Sequence, residues 1–431
     1  MGFRLHLTGR TAPLAARTGI GGPGRAMRRF GGIARALTGA MALMAAGLQA
    51  GHAQDAVKIG VPCELSGRFV AYGSQCKRGV EMAVDVFGGT VLGKKIDPVY
   101  RDVQSNNQVA VTAFTELADQ QKIDFIIGPV ASGVVAASVA AWRQSKPLWL
   151  VPGSSSTVLE KAMKGEDLFF HTYPWAYDYY ESTAAAVEPA AGAGKKVAII
   201  YSDGAYGREE YPYAQEYYRK NGFEIVATEL VREGAADFNP VLQQLRRLHP
   251  DVLVGIVQTT DAIQLTKQLQ VARLNIPFLV GTAYPQLKEW SDAVGPEAAN
   301  GWIAPTNYLP ALDRPADPKY PKLFPSSKEW EAAFKARYNR SPEFLDMTCY
   351  TTAMLLLVAI EEAKTTDKAR VAETLAKLDL QTGLGTSKFG PTPGGTLHQA
   401  FSQMIVYQRQ GDRLVVVYPS SVAQGKIVPR Q

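Results

Sequence analysis

Past residue 53 the chain carries three histidines, His171, His249 and His398, far apart in sequence, and three cysteines, Cys63, Cys76 and Cys349. No H-E-x-x-H, paired C-x-x-C or G-x-S-x-G pattern occurs, so no metal site and no hydrolase nucleophile stands in a recognisable spacing. Ser74-Gln75-Cys76-Lys77 satisfies S-x-x-K, and Ser105-Asn106-Asn107 faintly matches S-D-N. No K-T-G follows, and a serine–lysine acylation site needs all three. Gly19-Ile20-Gly21-Gly22-Pro23-Gly24 matches G-x-G-x-x-G but lacks the preceding strand and following helix that dinucleotide binding requires. An enzyme, a metal and a cofactor are all left without support.

What remains is hydroxyl-rich chain at the ends of apolar runs. Ile126-Ile127-Gly128-Pro129-Val130-Ala131-Ser132-Gly133 is a strand, a turn and a serine opening a helix. Val151-Pro152-Gly153-Ser154-Ser155-Ser156-Thr157 is the next strand exit, with four hydroxyls in succession. Free N–H groups at a helix N-terminus, with small hydroxyl side chains, make a cradle for a carboxylate. The plainer alternative is N-capping, which serines supply in any protein. In a third loop, Tyr201 to Arg208, Gly204 and Gly207 bracket Tyr206, which either closes over a ligand or packs on its own lobe.

Elements of α/β type must position these loops. Short apolar runs at Val57–Val61, Asp124–Gly128, Leu148–Val151, Val197–Ser202, Asp251–Val257 and Phe278–Gly281 predict strands without polar alternation. Helix-period stretches lie between them, as at Gly79–Phe87, where Val80, Ala83, Val84 and Phe87 share one face. Asn107–Gln120, Ser132–Gln144, Arg208–Lys220, Pro240–Arg247 and Asp261–Ala272 also predict helices, the last N-capped by Asp261. The series runs twice, to about Tyr173 and again from Val197 to about Asn300. Between the two, His171–Glu181 is aromatic-dense and broken by Pro174, as expected of a hinge or cleft wall. A Pro-rich loop from Pro305 to Pro325 leads to helices at Ser327–Tyr338, Phe344–Lys364 and Lys368–Leu378, then strands at Gln403–Gln408 and Arg413–Tyr418. Two doubly wound parallel-sheet lobes with a cleft between them is the economical architecture, ligands binding beyond the strands' carboxyl ends.

Charge separates the leader from the rest. The 431 residues hold 46 basic and 40 acidic side chains, a net charge of +6. Residues 1–53 contain seven arginines and no acid, which leaves 39 basic against 40 acidic side chains beyond them. A basic surface for nucleic acid is thereby excluded. Arg28, Arg29 and Arg35 precede the uncharged run Ala36–Ala50 and then Gly51-His52-Ala53, the pattern of an export signal cleaved after Ala53. Translation from Met27 gives a leader of ordinary length, so Met1 and Met27 both stand as starts. The uncharged run is too short to span a bilayer, and no later segment is expected to do so. An oxidising compartment permits a Cys63–Cys76 bridge, with Cys349 a buried thiol in an apolar helix.

The ordered set of motifs resembles the periplasmic substrate-binding proteins of ABC importers, in the leucine/isoleucine/valine-binding branch with type I fold. It runs from Lys58-Ile59-Gly60-Val61-Pro62-Cys63-Glu64-Leu65-Ser66-Gly67 through Ala71-Tyr72-Gly73 and Arg78-Gly79-Val80-Glu81-Met82-Ala83. Ile127-Gly128-Pro129, Val151-Pro152-Gly153, Tyr206-Gly207 and Phe389-Gly390 to Gly394-Gly395 continue it. The resemblance implies two lobes joined by a three-segment hinge: 54–173 with 301–397, and 174–300 with 398–431. It implies that Ser132 and Gly153, Ser154 and Ser155 hold a ligand carboxylate, with Tyr72 walling the site and Tyr206 closing over it. Thr282 and Tyr284 fall where amino-acid binders of the family carry an acid for the α-ammonium group, and Gly281-Thr282-Ala283-Tyr284 has none. A buried ammonium without a carboxylate partner costs several kcal/mol in order of magnitude. Unless Asp203 or Asp261 substitutes, an aromatic or aliphatic carboxylate or an amide is favoured over a free amino acid. Trp175, Tyr177 and Tyr284 suit a ring, or form hinge core. The expectation is a monomeric periplasmic receptor that hands its ligand to importer permease subunits. An exported sensor serving a membrane receptor, or an exported α/β hydrolase, are the alternatives.

Overall fold

The computed structural model describes residues 56–430, and the expected export signal over 1–53 lies outside them. One sheet is built from β1 (Val57–Cys63), β2 (Thr90–Val91), β3 (Lys94–Asp102), β4 (Phe125–Ile127), β5 (Leu148–Val151) and β6 (Phe169–His171). Its order is β2-β3-β1-β4-β5-β6, parallel except for the β2–β3 hairpin. The helices α1 (Val70–Phe87), α2 (Asn107–Thr115), α3 (Ser132–Ser145) and α4 (Thr157–Ala162) connect these strands.

The chain then forms α5 (Ala176–Ala191), β7 (Lys196–Ser202), α6 (Ala205–Lys220), β8 (Glu224–Val231), α7 (Asn239–Leu248) and β9 (Val252–Ile256). It continues through α8 (Thr259–Ala272), β10 (Phe278–Val280), α9 (Lys288–Val294), α10 (Pro296–Ala299) and β11 (Trp302–Thr306). Beyond these lie α11 (Ser327–Tyr338), α12 (Phe344–Ala363), α13 (Lys368–Leu375) and a hairpin of β12 (Asp379–Thr382) with β13 (Gly385–Lys388). The chain ends as β14 (Ile405–Gln410) and β15 (Arg413–Tyr418). The second sheet has the order β15-β14-β11-β10-β9-β7-β8, parallel except that β14 runs antiparallel to both β11 and β15.

Both sheets wind alike: β3-β1-β4-β5-β6 matches β8-β7-β9-β10-β11. In each, the order reverses beside the first strand, and there a crevice opens at the carboxyl ends. The central strands are apolar throughout because helices cover both faces; every residue of β5 and β9 is buried. The chain passes between the sheets after β6, after β11 and before β14, and α12 packs along α1 of the first sheet.

Several expectations are corrected. Trp302–Thr306, placed with the first lobe by a boundary at 301, is a central strand of the second sheet, paired with both β10 and β14. Pro305 within it had marked the start of a loop. Gln399, placed in the second lobe, bridges His171 at the edge of the first sheet. Seven strands went unread: β2, β12 and β13 are short, β3 and β8 are partly solvated and carry charge, and aromatic or proline residues break the apolar run of β6 and β11. Helix α8 begins at Thr259 with Gln258 as its N-cap; Asp261 lies in its first turn and accepts the Gly234 amide at 3.1 Å. Helix α12 does meet the length and hydropathy of a membrane span. It is buried without interruption from Phe344 to Ile360, which makes it a core helix.

Candidate functional site

The exit of β4 turns at Gly128 and enters α3, whose first residue is Ser132. Ala131 precedes the helix, and no side chain caps it. Glu64, fully buried beyond β1, reaches across: its Oε1 accepts the amides of Val130 at 3.3 Å and Ala131 at 2.9 Å. Burial pushes its carboxyl up to about 7, against those two bonds. The protein therefore fills part of the expected anion site with its own carboxylate, and Ser132 with Gly133 supplies the next helical amides.

The exit of β5 runs against this loop at close quarters. A Cβ on Gly153 would lie 2.5 Å from the Val130 carbonyl oxygen, so only glycine lets the two loops meet. Ser154 follows with φ +69°, a left-handed conformation that disfavours a serine by about 1–2 kcal/mol. It is buried, and its hydroxyl has no hydrogen-bond partner among the described residues. Ser155 donates to Glu210 of α6. Ser156 is the capping serine: it accepts the Leu159 amide at 3.2 Å and also pairs with Glu209. His171 pins the loop from behind, its Nε2–H donating to the Gly153 and Ser154 carbonyls at 3.0 and 2.9 Å, its Nδ1 beside Gln399. Burial pulls the imidazole down to about 4, while the acceptors at both ring nitrogens, Gln399 Oε1 and the two carbonyls, pull the other way.

Aromatic rings close the remaining sides. Tyr72 of α1 reaches the second sheet's Thr259, hydroxyl to hydroxyl at 3.0 Å, and burial pushes its pKa up to about 12. Tyr206 comes from α6, where a Cβ on the following Gly207 would lie 2.2 Å from the Ser202 carbonyl. Thr282 bonds the Tyr206 hydroxyl. The hydroxyls of Tyr173 and Tyr179 are bonded to each other. Phe344 meets Tyr72 edge-on, 6.2 Å between centroids. Together these groups line a cavity of about 50 Å³, bounded by Tyr72, Ser132, Gly153, Ser154, Ser155 and Tyr206 together with Tyr173, Tyr179, Gln258 and Phe344.

The other expected residues fall elsewhere. Tyr284 is core, edge-on to Trp302 with centroids 5.5 Å apart, and Thr282 supports Tyr206 without lining the cavity. Trp175 stacks on His171 at 3.7 Å, and Tyr177 donates to Glu160. Asp203 and Asp261 accept the amides of Glu233 and Gly234, so neither faces the cavity. Cys63, Cys76 and Cys349 are three buried free thiols in mutual contact, and the expected Cys63–Cys76 bridge is not formed. Tyr173, Tyr179, Phe344, Gln258 and Glu210 were not foreseen as site residues. The aromatic density of His171–Glu181 was the available signal for the first two; nothing local marks the others.

Two parallel sheets wound alike, with a cavity lined by hydroxyls and rings from the carboxyl ends of both, define a two-lobed small-molecule binder of type I fold. A family model described as periplasmic binding protein matches residues 56–413, and the chain belongs to that family. It is 24% identical over 409 residues to "Leu/Ile/Val-binding protein homolog 7" of Brucella abortus (strain 2308), covering 90% of this chain and 98% of that one. Its fold is similar to the branched-chain amino acid transporter substrate-binding protein of Streptococcus pneumoniae solved with isoleucine, at TM-score 0.73 and 24% identity over 85% of this chain and all of that one (100%). It is similar also to an ABC-transporter solute-binding protein of R. palustris solved with benzoate, at TM-score 0.74 and 21% identity over 87% and 97% of the two chains.

Proposed function

We propose that the chain is the periplasmic receptor of an ABC importer, exported by residues 1–53, which captures a small organic carboxylate by closing two lobes over it. The observation that carries this is Ser154. A serine held in a left-handed conformation, buried, with its hydroxyl unpartnered, lies at the wall of a cavity that both sheets line. Strain of that kind persists where the surroundings over-determine it, and a ligand oxygen supplies the missing partner. Ser132 and Ser155 add hydroxyls from the two neighbouring loops. Tyr72 and Tyr206 contribute from opposite sheets, so a ligand touching both favours the closed state. Handing the ligand to permease subunits, acting as a monomer and lacking catalytic activity belong to the same proposal.

The ligand's other end meets rings. Among the described residues no acidic side chain lines the cavity, and Asp203 and Asp261 are engaged elsewhere, so an α-ammonium group finds no carboxylate at its wall. A carboxylate on an aromatic or aliphatic body fits better than a free α-amino acid. A thermal-shift and calorimetry panel of benzoate, short-chain acids, isoleucine and leucine tests this, since a bound ligand raises apparent stability. Benzoate-like acids are expected to stabilise and leucine not; strong stabilisation by leucine or isoleucine refutes the ammonium argument. In the double variant Ser132→Ala with Ser155→Ala, affinity is expected to fall at least tenfold, because a hydrogen bond to a charged group contributes about 1.5–3 kcal/mol.

A further inference from the structure

We propose that capture of a carboxylate in the Gly153–Ser155 cradle takes up one proton, which Glu210 holds behind Ser155. Glu210 lies on α6 one turn beyond Tyr206, is 1% exposed, and accepts the hydroxyl proton of Ser155 from the first sheet's loop. Ser155 also lines the cavity. A serine hydroxyl has a single proton to donate. While an ionised Glu210 receives it, Ser155 cannot donate to a ligand carboxylate, and two negative groups would face one oxygen. With Glu210 protonated, its O–H donates to Ser155 Oγ, and Ser155 turns its own proton to the ligand. Every group in the row is then satisfied without like charges in contact.

Among the described residues no cation acts on Glu210 to hold it ionised. Tyr206 and Glu209 face it from α6, Tyr179 and Tyr180 from α5, Tyr173 from the segment after β6, and Ser155 from the opposing loop. Burial, with a smaller push from Glu209, raises its carboxyl to about 8, while Ser155 and Tyr180 pull the other way. When the lobes separate, Ser155 leaves and water reaches the carboxyl from that side, so its titration moves down toward the ordinary value of about 4.3. Between those two values, closure around an anion draws a proton from solution. Glu209 forms a second pair across the same seam with Ser156, and burial raises its carboxyl too. Ser156 caps α4 and does not line the cavity, so Glu209 is the control.

Because this deepens the carboxylate-cradle function proposed above, the test separates the two. Benzoate is titrated calorimetrically into the mature chain at pH 6.5 in two buffers of different ionisation enthalpy, which counts protons exchanged without any variant. Close to one proton taken up is expected, with affinity weakening about tenfold per pH unit from pH 6 to 7.5. In Glu210→Gln the uptake and the slope should vanish, whereas Glu209→Gln keeps most of both. Binding without proton exchange, or an unchanged slope in Glu210→Gln, overturns the inference and leaves the cradle standing. If neither benzoate nor any acid of the panel binds, the cradle function falls and takes this inference with it.

Discussion

Replacing Gly153 by alanine tests whether the close approach of two strand-exit loops makes the site. The added Cβ would stand 2.5 Å from the Val130 carbonyl oxygen and 2.8 Å from Val130 Cα and Cβ, against an ordinary contact of at least 3.4 Å. The obstructing atoms are mostly backbone, so no flexible side chain yields, and the loops must part by about 0.9 Å. Overpacking of this size destabilises by about 1–3 kcal/mol. The same movement carries Ser154 and Ser155 away from Ser132 and lengthens the hydrogen bonds expected to hold a carboxylate. Affinity should therefore fall about 10–100-fold, as loss of one or two such bonds implies. Calorimetric titration with the strongest binder of the panel measures this, beside a urea melt of the ligand-free protein. Gly390→Ala is the matched control, since a Cβ there meets nothing within 4 Å. Wild-type affinity and stability in Gly153→Ala would refute the idea that this contact sets the cradle.

Two further outcomes are expected. His171 has its folded pKa depressed to about 4, below the ordinary 6.5, so the unfolded chain takes a proton first as pH falls. Wild type should lose up to about 3 kcal/mol relative to His171→Gln between pH 6.5 and 4, read from urea melts across that range; a pH-independent difference refutes a neutral His171. The cysteines should give three reactive thiols per chain in denaturant without reductant, and none in the native state, because all three are free and buried. A single reactive thiol would mean a bridge had formed.

Much of the fold was legible because central parallel strands are written as uninterrupted apolar runs: Leu148–Val151 was read to the residue. The edges were not. Strand β8 is mostly half-solvated and carries Glu224 and Glu229, and β11 hides Trp302–Thr306 behind a proline, since its place depends on partners about 25 and 100 residues away along the chain. The cradle was legible for a similar reason, since glycine and serine at a strand exit declare a tight turn and a helix start locally. Its aromatic walls were legible in part: Tyr72 and Tyr206 were expected and His171–Glu181 read as a hinge or cleft wall, but Phe344 opens a helix whose apolar run explains it as core.

By itself, the sequence determined the class: an arginine-rich leader with no acid, a near-neutral body, two βα series, and hydroxyl loops without a nucleophile or metal set. These are properties of composition and local pattern, which need no partner to be expressed. Only the tertiary structure decided who stands opposite whom. It put Glu64 on the amides of Val130 and Ala131, His171 under the Ser154 carbonyl, and Glu210 against Ser155. It also withdrew Tyr284, Trp175 and the two aspartates from the site. Hydrogen bonding and burial act between residues far apart in the chain, and a buried carboxyl's proton depends on neighbours that only the closed fold assembles.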